Sequence, residues 1–396
     1  MSKKKGVMVF FFATLVVFLL MDGAVGSQSL RSIPVVDLSR IVKGCPTSED
    51  VEAIDEGCRL GFFHVRNHGI PRAVIEEFDA AMRAFFALPE AEKLRYARTR
   101  WNSRGFANNE FTKNTRDVKE LYDFGHVPDP SKPFDAEENV VMDGYNQVPA
   151  PFAGALTAYY DACAEVCARV ASCVALALGL EKDALEPIFG EGHTSYLRLN
   201  YYPRLPPSAE RFVANDQDLD REDRRRDDDA ETPLSSLDGR RLGVNRHFDA
   251  GGITLLRQDP KVAALQMNLA AHDDDDDATK PRWVDVMPPP PLDDDDFPLT
   301  VNVGDMLQVL SNDKYKAAEH RVLATTTDNV RYSAPFFYNP RYDAAIAPLR
   351  NNDNEGGKPL YDAFTYGYFR RRRFEGDFEN EGKPEIQIAH FKKKLR

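Results

Sequence analysis

The sequence has few cysteines, and their spacing does not suit a zinc site. Its 396 residues include only five cysteines, and none of them forms the Cys-x2-Cys pair typical of structural zinc. Cys163 and Cys167 are one helical turn apart in a long apolar stretch, where cysteine usually serves as a small buried hydrophobe. The sequence therefore predicts neither a disulfide framework nor a cysteine-based metal site.

The chain also lacks an excess of positive charge, and it has no membrane-length apolar run after its first 26 residues. A formal net charge of -12 argues against nucleic acid or an anionic membrane as a partner, because either would favour a basic surface. Much of this charge is local to Asp273–Asp277 and Asp293–Asp296, which we interpret as solvated loops. With 42% hydrophobic residues the chain can bury a large core. We expect the protein to be a monomer.

The N-terminus has the pattern of a targeting segment. Lys3–Lys5 is basic, Val7–Met21 is apolar, and Ala24–Gly26 supplies small residues for cleavage. We interpret residues 1–26 as a signal peptide, with a single signal anchor as the alternative. The predicted location is the lumen of the endoplasmic reticulum or outside the cell; a membrane-anchored or cytoplasmic protein is the alternative.

A candidate metal site begins with the stretch Arg246-His247-Phe248-Asp249. Successive side chains of a strand point to opposite faces, so His247 and Asp249 project to the same side. If the fold brings His320 beside them, two imidazoles and one carboxylate can occupy one face of an octahedral ion and leave three positions open. That arrangement is typical of non-haem Fe(II) oxygenases. A polar turn is the alternative interpretation of His-x-Asp taken alone.

Two further strands carry candidate binding residues. Arg331 and Ser333 repeat the two-residue spacing and suit a carboxylate, to which the guanidinium offers a fork and the hydroxyl another donor. The stretch Tyr196–Tyr202 alternates, and it places Asn200 and Tyr202 on its polar face. A polar face on a buried strand is costly unless it faces a wet cavity, so we place both residues in the active site.

These motifs together resemble the isopenicillin N synthase-like branch of the 2-oxoglutarate and Fe(II)-dependent dioxygenase superfamily. The resemblance runs from about Ile33 into the C-terminal region. The stretches that carry it are Gly61–Pro71, Leu197–Pro203, Arg246–Asp249, Asn302–Gln308, Ala318–Val322 and Arg331–Ser333.

The resemblance implies the cofactors and the reaction. Fe(II) would be held by His247, Asp249 and His320. Arg331, Ser333 and Tyr202 would anchor the distal carboxylate of 2-oxoglutarate, with Asn200 near its metal-bound end. O2 and 2-oxoglutarate would be converted to succinate and CO2 while a small organic metabolite is hydroxylated or desaturated. Ascorbate is expected to support the reaction.

Two alternatives remain open at this point. Some members of the same branch close rings without 2-oxoglutarate, and they use Arg-x-Ser for the substrate's own carboxylate. The chain could instead be a non-catalytic jelly-roll protein that binds a small molecule. The complete ligand set and anchor pair argue against the second alternative.

The strand pattern predicts an α+β fold dominated by a double-stranded β-helix, a cupin-type jelly roll with flanking helices. We expect an N-terminal dioxygenase region at 27–150, a backing helix and Fe(II)/2-oxoglutarate jelly-roll domain at 151–345, and a C-terminal helical tail at 346–396. Residues 216–229 and 272–296 interrupt the family pattern as acidic loop insertions.

Several other polar residues are interpreted as structural or solvated. His64 and His68 are expected to be satisfied polar groups at a strand end, and Asp305 a turn residue before a strand at 306–310. The run Arg370–Arg373 is expected to be solvent-exposed. The irregular segment Arg98–Tyr145 is either a surface connection or a contributor to substrate specificity near the mouth of the site.

Overall fold

The computed structural model describes residues 33–99, 101–112, 115–125, 144–205, 241–271, 281–325, 329–349, 358–377 and 386–393. These residues belong to one compact unit that begins at Ile33. The predicted leader at 1–26, the insertion at 216–229 and the aspartate run at 273–277 lie outside the described residues.

The larger of two main sheets has eight strands in the order β1-β2-β12-β9-β14-β7-β6-β3. It combines strands from the N-terminal region with strands from the predicted jelly-roll region. Its strands are β1 (Val35–Asp37), β2 (Phe62–Arg66), β3 (Gly105–Ala107), β6 (Glu120–Gly125), β7 (Tyr196–Tyr202), β9 (Ile253–Gln258), β12 (Leu299–Val303) and β14 (Arg331–Tyr338).

The smaller main sheet has four strands in the order β11-β10-β13-β8. Its strands are β8 (Leu242–His247), β10 (Leu265–Asn268), β11 (Trp283–Asp285) and β13 (His320–Leu323). Two short pairs complete the β structure: β4 (Phe111–Thr112) with β5 (Thr115–Arg116), and β15 (Ala345–Ile346) with β16 (Phe364–Thr365).

Seven α-helices accompany the sheets in the described part of the chain. They are α1 (Ser48–Leu60), α2 (Arg72–Phe86), α3 (Glu90–Leu94), α4 (Ala150–Ala177), α5 (Glu186–Phe189), α6 (Asp305–Leu310) and α7 (Tyr366–Asp377). Single 3-10 turns occur at Leu269–Ala271 and Ile388–Phe391. Helix α1 is capped by Gly61, whose φ of 84° suits a left-handed helix cap.

Alternating side chains of the larger sheet contribute to two different cores. In β2, Phe63 packs with the helices, whereas Phe62 joins a second core that contains Tyr202 from the same sheet and Val244 and Met267 from the smaller sheet. This period of two follows from strand geometry. The layers are therefore helices, larger sheet and smaller sheet, and the interior between the sheets is where the polar strand residues meet.

The prediction for residues 305–310 is wrong. Residues 306–310 form helix α6 rather than a strand, and Asp305 is its buried first residue rather than an open turn. A short apolar run of this kind is compatible with either a strand or a helix. Gly304, whose backbone is extended, is the N-cap residue of the helix that forms here. The segment 98–145 is not only a surface connection, because β3 and β6 extend the larger sheet.

All five cysteines are free. The predicted burial of Cys163 and Cys167 is confirmed, and Cys58 and Cys173 are buried as well. No helix in the described part of the chain has both the length and the apolar composition to cross a bilayer.

The two N-terminal histidines have structural partners, as expected. His64 Nδ1 lies 3.1 Å from Thr300 Oγ1, and His68 Nε2 lies 2.9 Å from the carbonyl oxygen of Phe297. Burial, reinforced by the nearby Arg66, lowers the pKa of His64 to about 4. The folded protein thus holds this imidazole uncharged at neutral pH.

The buried His64 should make stability depend on pH. The unfolded chain takes up this proton near pH 6.5 and the folded chain only near pH 4, so stability falls as pH decreases through that window. Between pH 7 and pH 4 the unfolding free energy of His64→Gln should fall by roughly 3 kcal/mol less than that of the wild type. Urea unfolding at both pH values measures the difference. The exposed His390 provides the control, since His390→Gln should behave like the wild type; an equal loss in all three proteins would contradict the assignment.

Candidate metal centre and active site

The fold brings His247, Asp249 and His320 together. His247 ends β8, Asp249 follows two residues later, and His320 begins β13, where it pairs directly with His247 across the smaller sheet. Asp249 Oδ1 lies 3.7 Å from His247 Nε2 and 3.6 Å from His320 Nε2. The three side chains can each direct one ligand atom at the same ion, and these atoms lie within 4.8 Å of one another.

Backbone carbonyl groups fix both imidazoles in the orientation that a metal needs. His247 Nδ1 lies 2.8 Å from the carbonyl oxygen of Asn245, and His320 Nδ1 lies 2.9 Å from that of Ala318. Each Nδ1 therefore carries the proton and donates it, which leaves each Nε2 with a free lone pair. The same device, a bond from the second ring nitrogen to an oxygen, orients histidine ligands in known metal sites.

The carboxylate of Asp249 is oriented by two side chains of the larger sheet. Its Oδ2 accepts hydrogen bonds from Thr254 Oγ1 at 2.6 Å and from Asn302 Nδ2 at 2.7 Å. These two donors leave Oδ1 to face the histidines. The site is thus assembled from both sheets, with ligands on the smaller sheet and supporting donors on the larger one.

Electrostatics keeps His247 and Asp249 in their ligating forms. Burial is the main cause that lowers the pKa of His247, and repulsion from a charged His320 adds to it. Burial opposes ionisation of Asp249, but the nearby histidines and the bonds from Asn302 and Thr254 outweigh it and hold its pKa below the usual value. At neutral pH the site offers a neutral imidazole at His247 and a carboxylate at Asp249, as metal binding requires.

Thr254→Val should weaken iron binding while the three ligands remain. The valine keeps the volume of the side chain but removes the 2.6 Å donor to Asp249, and loss of such a supporting bond typically costs about 10- to 100-fold in metal affinity. Titration of the iron-free protein with Fe(II) under nitrogen measures the dissociation constant. Thr254→Ser keeps the hydroxyl and is the matched control; equal weakening by both substitutions would mean that the hydroxyl does not orient Asp249.

Arg331 is buried beside the other predicted anchor residues. Its guanidinium donates to Ser333 Oγ and to Gln258 Oε1, each at 3.3 Å, and lies 5.0 Å from the centre of the Tyr202 ring. Neighbouring strands set this arrangement, because Arg331 pairs with Tyr202 and Ser333 with Asn200 across β14 and β7. Asn200 Nδ2 is 3.5 Å from Ser333 Oγ, so the four predicted residues form one cluster.

The Arg331 cluster has an unsatisfied cationic donor that suits an anionic ligand. Arg331 is 1% exposed, and no acidic side chain in the described residues forms an ion pair with it. Its Nε has no hydrogen-bond partner there, and burial lowers the pKa of Arg331. A buried guanidinium without an anion is costly. The residues therefore fit 2-oxoglutarate, just as the triad fits Fe(II).

The sequence matches two family models over most of the described chain. The model of the non-haem dioxygenase in morphine synthesis N-terminal family covers residues 33–151, and that of the 2OG-Fe(II) oxygenase superfamily covers residues 193–340. Protein DMR6-LIKE OXYGENASE 1 of Arabidopsis thaliana is 30% identical over 333 residues, which are 82% of this chain and 77% of the relative. The chain belongs to the 2OG-Fe(II) oxygenase superfamily.

Two further proteins support this membership. Jasmonate-induced oxygenase 3 of Arabidopsis thaliana is 29% identical over 347 residues, covering 86% of this chain and 81% of the relative. The crystal structure of JOX2 in complex with 2OG, Fe and JA has a TM-score of 0.63 and 27% identity, and covers 87% of this chain and 86% of that one. The protein is accordingly an Fe(II)- and 2-oxoglutarate-dependent dioxygenase that oxidises a small metabolite.

A charged cavity wall adjoins the metal centre of this oxygenase. Glu110, Lys119 and Arg198 line the same cavity as His247 and Asp249. Glu110 accepts from Lys119 at 3.0 Å and from Arg198 at 2.9 Å. Parts of the segment 98–145 therefore do lie beside the metal site, which is the position expected for a contribution to specificity.

Sequence reasoning missed several residues of the oxygenase site. Thr254 and Asn302 hold Asp249, and Gln258 holds Arg331. A polar residue in the middle of an apolar strand, as Asn302 is in Leu299–Val303, was the available signal. The prediction that Arg370–Arg373 is solvated is wrong for Arg373, which is 3% exposed and donates to the carbonyl oxygen of Phe248 at 3.0 Å.

Proposed function

We propose that this oxygenase binds Fe(II) through His247, Asp249 and His320 and anchors 2-oxoglutarate at Arg331 and Ser333. The observation that carries the assignment is the pairing of a buried triad with three convergent ligand atoms and a buried arginine without an acidic partner among the described residues. One site requires a cation and the other an anion.

The side chains divide the work of binding and orientation. Arg331 and Ser333 hold the distal carboxylate, Tyr202 forms the wall beside Arg331, and Asn200 lies in the same cluster with its Nδ2 3.5 Å from Ser333 Oγ. Iron bound at the triad supplies O2 activation coupled to the conversion of 2-oxoglutarate to succinate and CO2. The apolar contacts between the two sheets keep bulk water from the anchor residues. Hydroxylation or desaturation of the metabolite is the proposed outcome.

We propose that the two main sheets form the double-stranded β-helix, or jelly roll, of this superfamily. The chain passes back and forth between the sheets from β7 to β14: β7, β9, β12 and β14 lie in the larger sheet, and β8, β10, β11 and β13 in the smaller one. The mixed order supports a core at 151–345 and an N-terminal region at 27–150 that adds strands to its larger sheet. The segment 346–396 contributes α7.

The cellular setting is a separate proposal. The basic and apolar pattern of residues 1–26 supports entry into the secretory pathway, with a monomeric enzyme as the expected state. Expression with a C-terminal fluorescent tag, alongside a chain that lacks residues 1–26, tests it. The same cytosolic distribution for both would overturn the proposed location.

Succinate formation by the purified chain under air, with Fe(II), ascorbate and 2-oxoglutarate, tests the function without knowledge of the metabolite. Slow turnover of 2-oxoglutarate without a prime substrate is expected from the wild type and from His390→Ala, whose histidine is exposed and distant from the triad in sequence. His247→Ala should form none. Iron bound without succinate formation would favour an oxidase that does not use 2-oxoglutarate, and no bound iron would favour a binding protein.

A further inference from the structure

Helix α7 presents two polar side chains to the cavity that contains the metal triad. Tyr366 and Arg370 are four residues apart, hence on one face of the helix, and both line the cavity together with His247 and Asp249. Neither residue belongs to the metal triad or to the Arg331 cluster. The C-terminal helix therefore forms a wall of its own beside the metal centre.

Most cationic side chains of this cavity wall already have acidic partners. Lys119, Arg198 and Arg373 each lie within ion-pair distance of a carboxylate. The pairs are Lys119 with Glu110 and Asp117 (3.0 Å each), Arg198 with Asp123 (2.7 Å) and Glu110 (2.9 Å), and Arg373 with Asp305 (3.6 Å). Their charges are balanced within the protein.

Arg370 differs from these three cations. It is partly buried and lines the cavity, yet no acidic side chain in the described residues pairs with it. Arg370 thus supplies a positive charge to the cavity that the described residues do not neutralise.

Tyr366 adds a second unsatisfied donor on the same face of α7. The residue is fully buried, and its hydroxyl has no hydrogen-bond partner among the described residues. Burial raises the pKa of this phenol, so the hydroxyl keeps its proton and can donate it. A buried hydroxyl without a partner is costly, and an oxygen acceptor from a ligand would relieve that cost.

Besides the paired charges and the polar Thr112 and Asn339, the wall includes aromatic residues that suit a ligand with an apolar body. Phe248, Phe337 and the ring of Tyr196 line the cavity. A guanidinium and a hydroxyl at one end with aromatic rings beside them fit an organic anion better than an inorganic one, because the rings offer no hydrogen bonds to additional charged oxygens.

We propose that the prime substrate is a small organic acid whose carboxylate is bound by Arg370 and Tyr366, separately from the 2-oxoglutarate anchor at Arg331. The inference rests on the proposed function, since it places the substrate in the cavity beside the triad. Arg370 supplies charge-assisted donors to the carboxylate and Tyr366 a neutral one. The wall made by α7 selects acids against their neutral derivatives.

Matched acids and esters test this substrate class. The probes are phenylacetate, 3-phenylpropanoate and their methyl esters, added to the full chain loaded with Fe(II) and saturating 2-oxoglutarate under nitrogen. Calorimetry measures binding without turnover. We expect the acids to bind at least about 10-fold more tightly than the esters, as a charge-assisted bond predicts. Equal affinity for acids and esters, or no binding of either acid at millimolar concentration, would overturn the proposal.

Variants on α7 locate the binding. Arg370→Gln should weaken binding of the acids by about 10- to 100-fold and Tyr366→Phe by about 3- to 10-fold, with little change for the esters. The exposed Arg371 on the same helix is the matched control, because Arg371→Gln removes the same charge and should change acid binding less than about 2-fold. Equal effects of the Arg370 and Arg371 substitutions would show a general charge effect and contradict the site.

Repeating the acid titration at a second, higher 2-oxoglutarate concentration distinguishes binding at Arg370 from binding at Arg331. Acid binding that weakens in proportion to added 2-oxoglutarate would place the acid at Arg331 and overturn the proposal. Succinate formation by the wild type without any probe is measured in parallel. If succinate forms but acids bind no more tightly than esters, only the proposed substrate class is refuted. If no succinate forms although iron is bound, the proposed function itself is refuted.

Discussion

Replacing Asp249 with alanine is expected to abolish both stable iron binding and succinate formation. The substitution removes the ligand atom that lies 3.7 and 3.6 Å from the two histidine Nε2 atoms, and it leaves Thr254 and Asn302 without their shared acceptor. Two imidazoles alone bind Fe(II) weakly, and the site loses its only carboxylate among the three ligands. Iron content after gel filtration and succinate formation with saturating 2-oxoglutarate measure the effect.

A neighbouring buried acid provides a sharp control for Asp249. Asp305 is 1% exposed and its amide donates to the Asp249 carbonyl oxygen at 2.8 Å, but its side chain is not part of the triad. Asp305→Asn should retain bound iron and succinate formation. If Asp305→Asn lost iron while Asp249→Ala kept it, the carboxylate ligand would have been assigned to the wrong residue.

The triad that we propose as metal ligands was predictable in part from sequence, because the spacing of two of its members is local. Two-residue spacing puts His247 and Asp249 on one side of an extended chain whatever the remaining fold. The position of His320 depends on the pairing of β13 with β8, and no local pattern encodes that register. The family resemblance supplied this long-range part of the prediction.

The supporting residues could not be predicted in the same way. Thr254 and Asn302 lie on the larger sheet and meet Asp249 only because the two sheets face each other across a common core. The sequence of a single strand does not indicate which residues of the other sheet its side chains will contact. Their polar character within apolar strands indicated a buried polar role, but not the partner.

The C-terminal helix shows a second limit of sequence patterns. Four consecutive arginines resemble a solvated surface, yet helical geometry distributes them around the axis. Arg371 is exposed, Arg373 is buried against Phe248, and Arg370 lines the cavity. A charge run therefore says little about which of its members reaches a site until the orientation of the helix is known.

Arg331→Met should have opposite effects on the stability of the cofactor-free protein and on its affinity for 2-oxoglutarate. Arg331 is a buried cation with no acidic partner in the described residues, and replacing such a charge with an apolar side chain of similar volume is often neutral or stabilising. Loss of a buried charged partner of a ligand carboxylate costs about 2–5 kcal/mol. The apparent 2-oxoglutarate requirement should therefore rise by about 30-fold or more.

Thermal unfolding with and without 2-oxoglutarate separates the two effects. The wild type loaded with Fe(II) should gain stability as 2-oxoglutarate is added, since the ligand binds only the folded chain. Arg331→Met should start at an equal or higher melting temperature and gain little. Arg331→Lys keeps the charge but loses the fork that reaches Ser333 and Gln258, so its response should be intermediate. A full 2-oxoglutarate response in Arg331→Met would place the carboxylate anchor at another residue, because no uncharged side chain can replace the buried guanidinium as a partner of that anion.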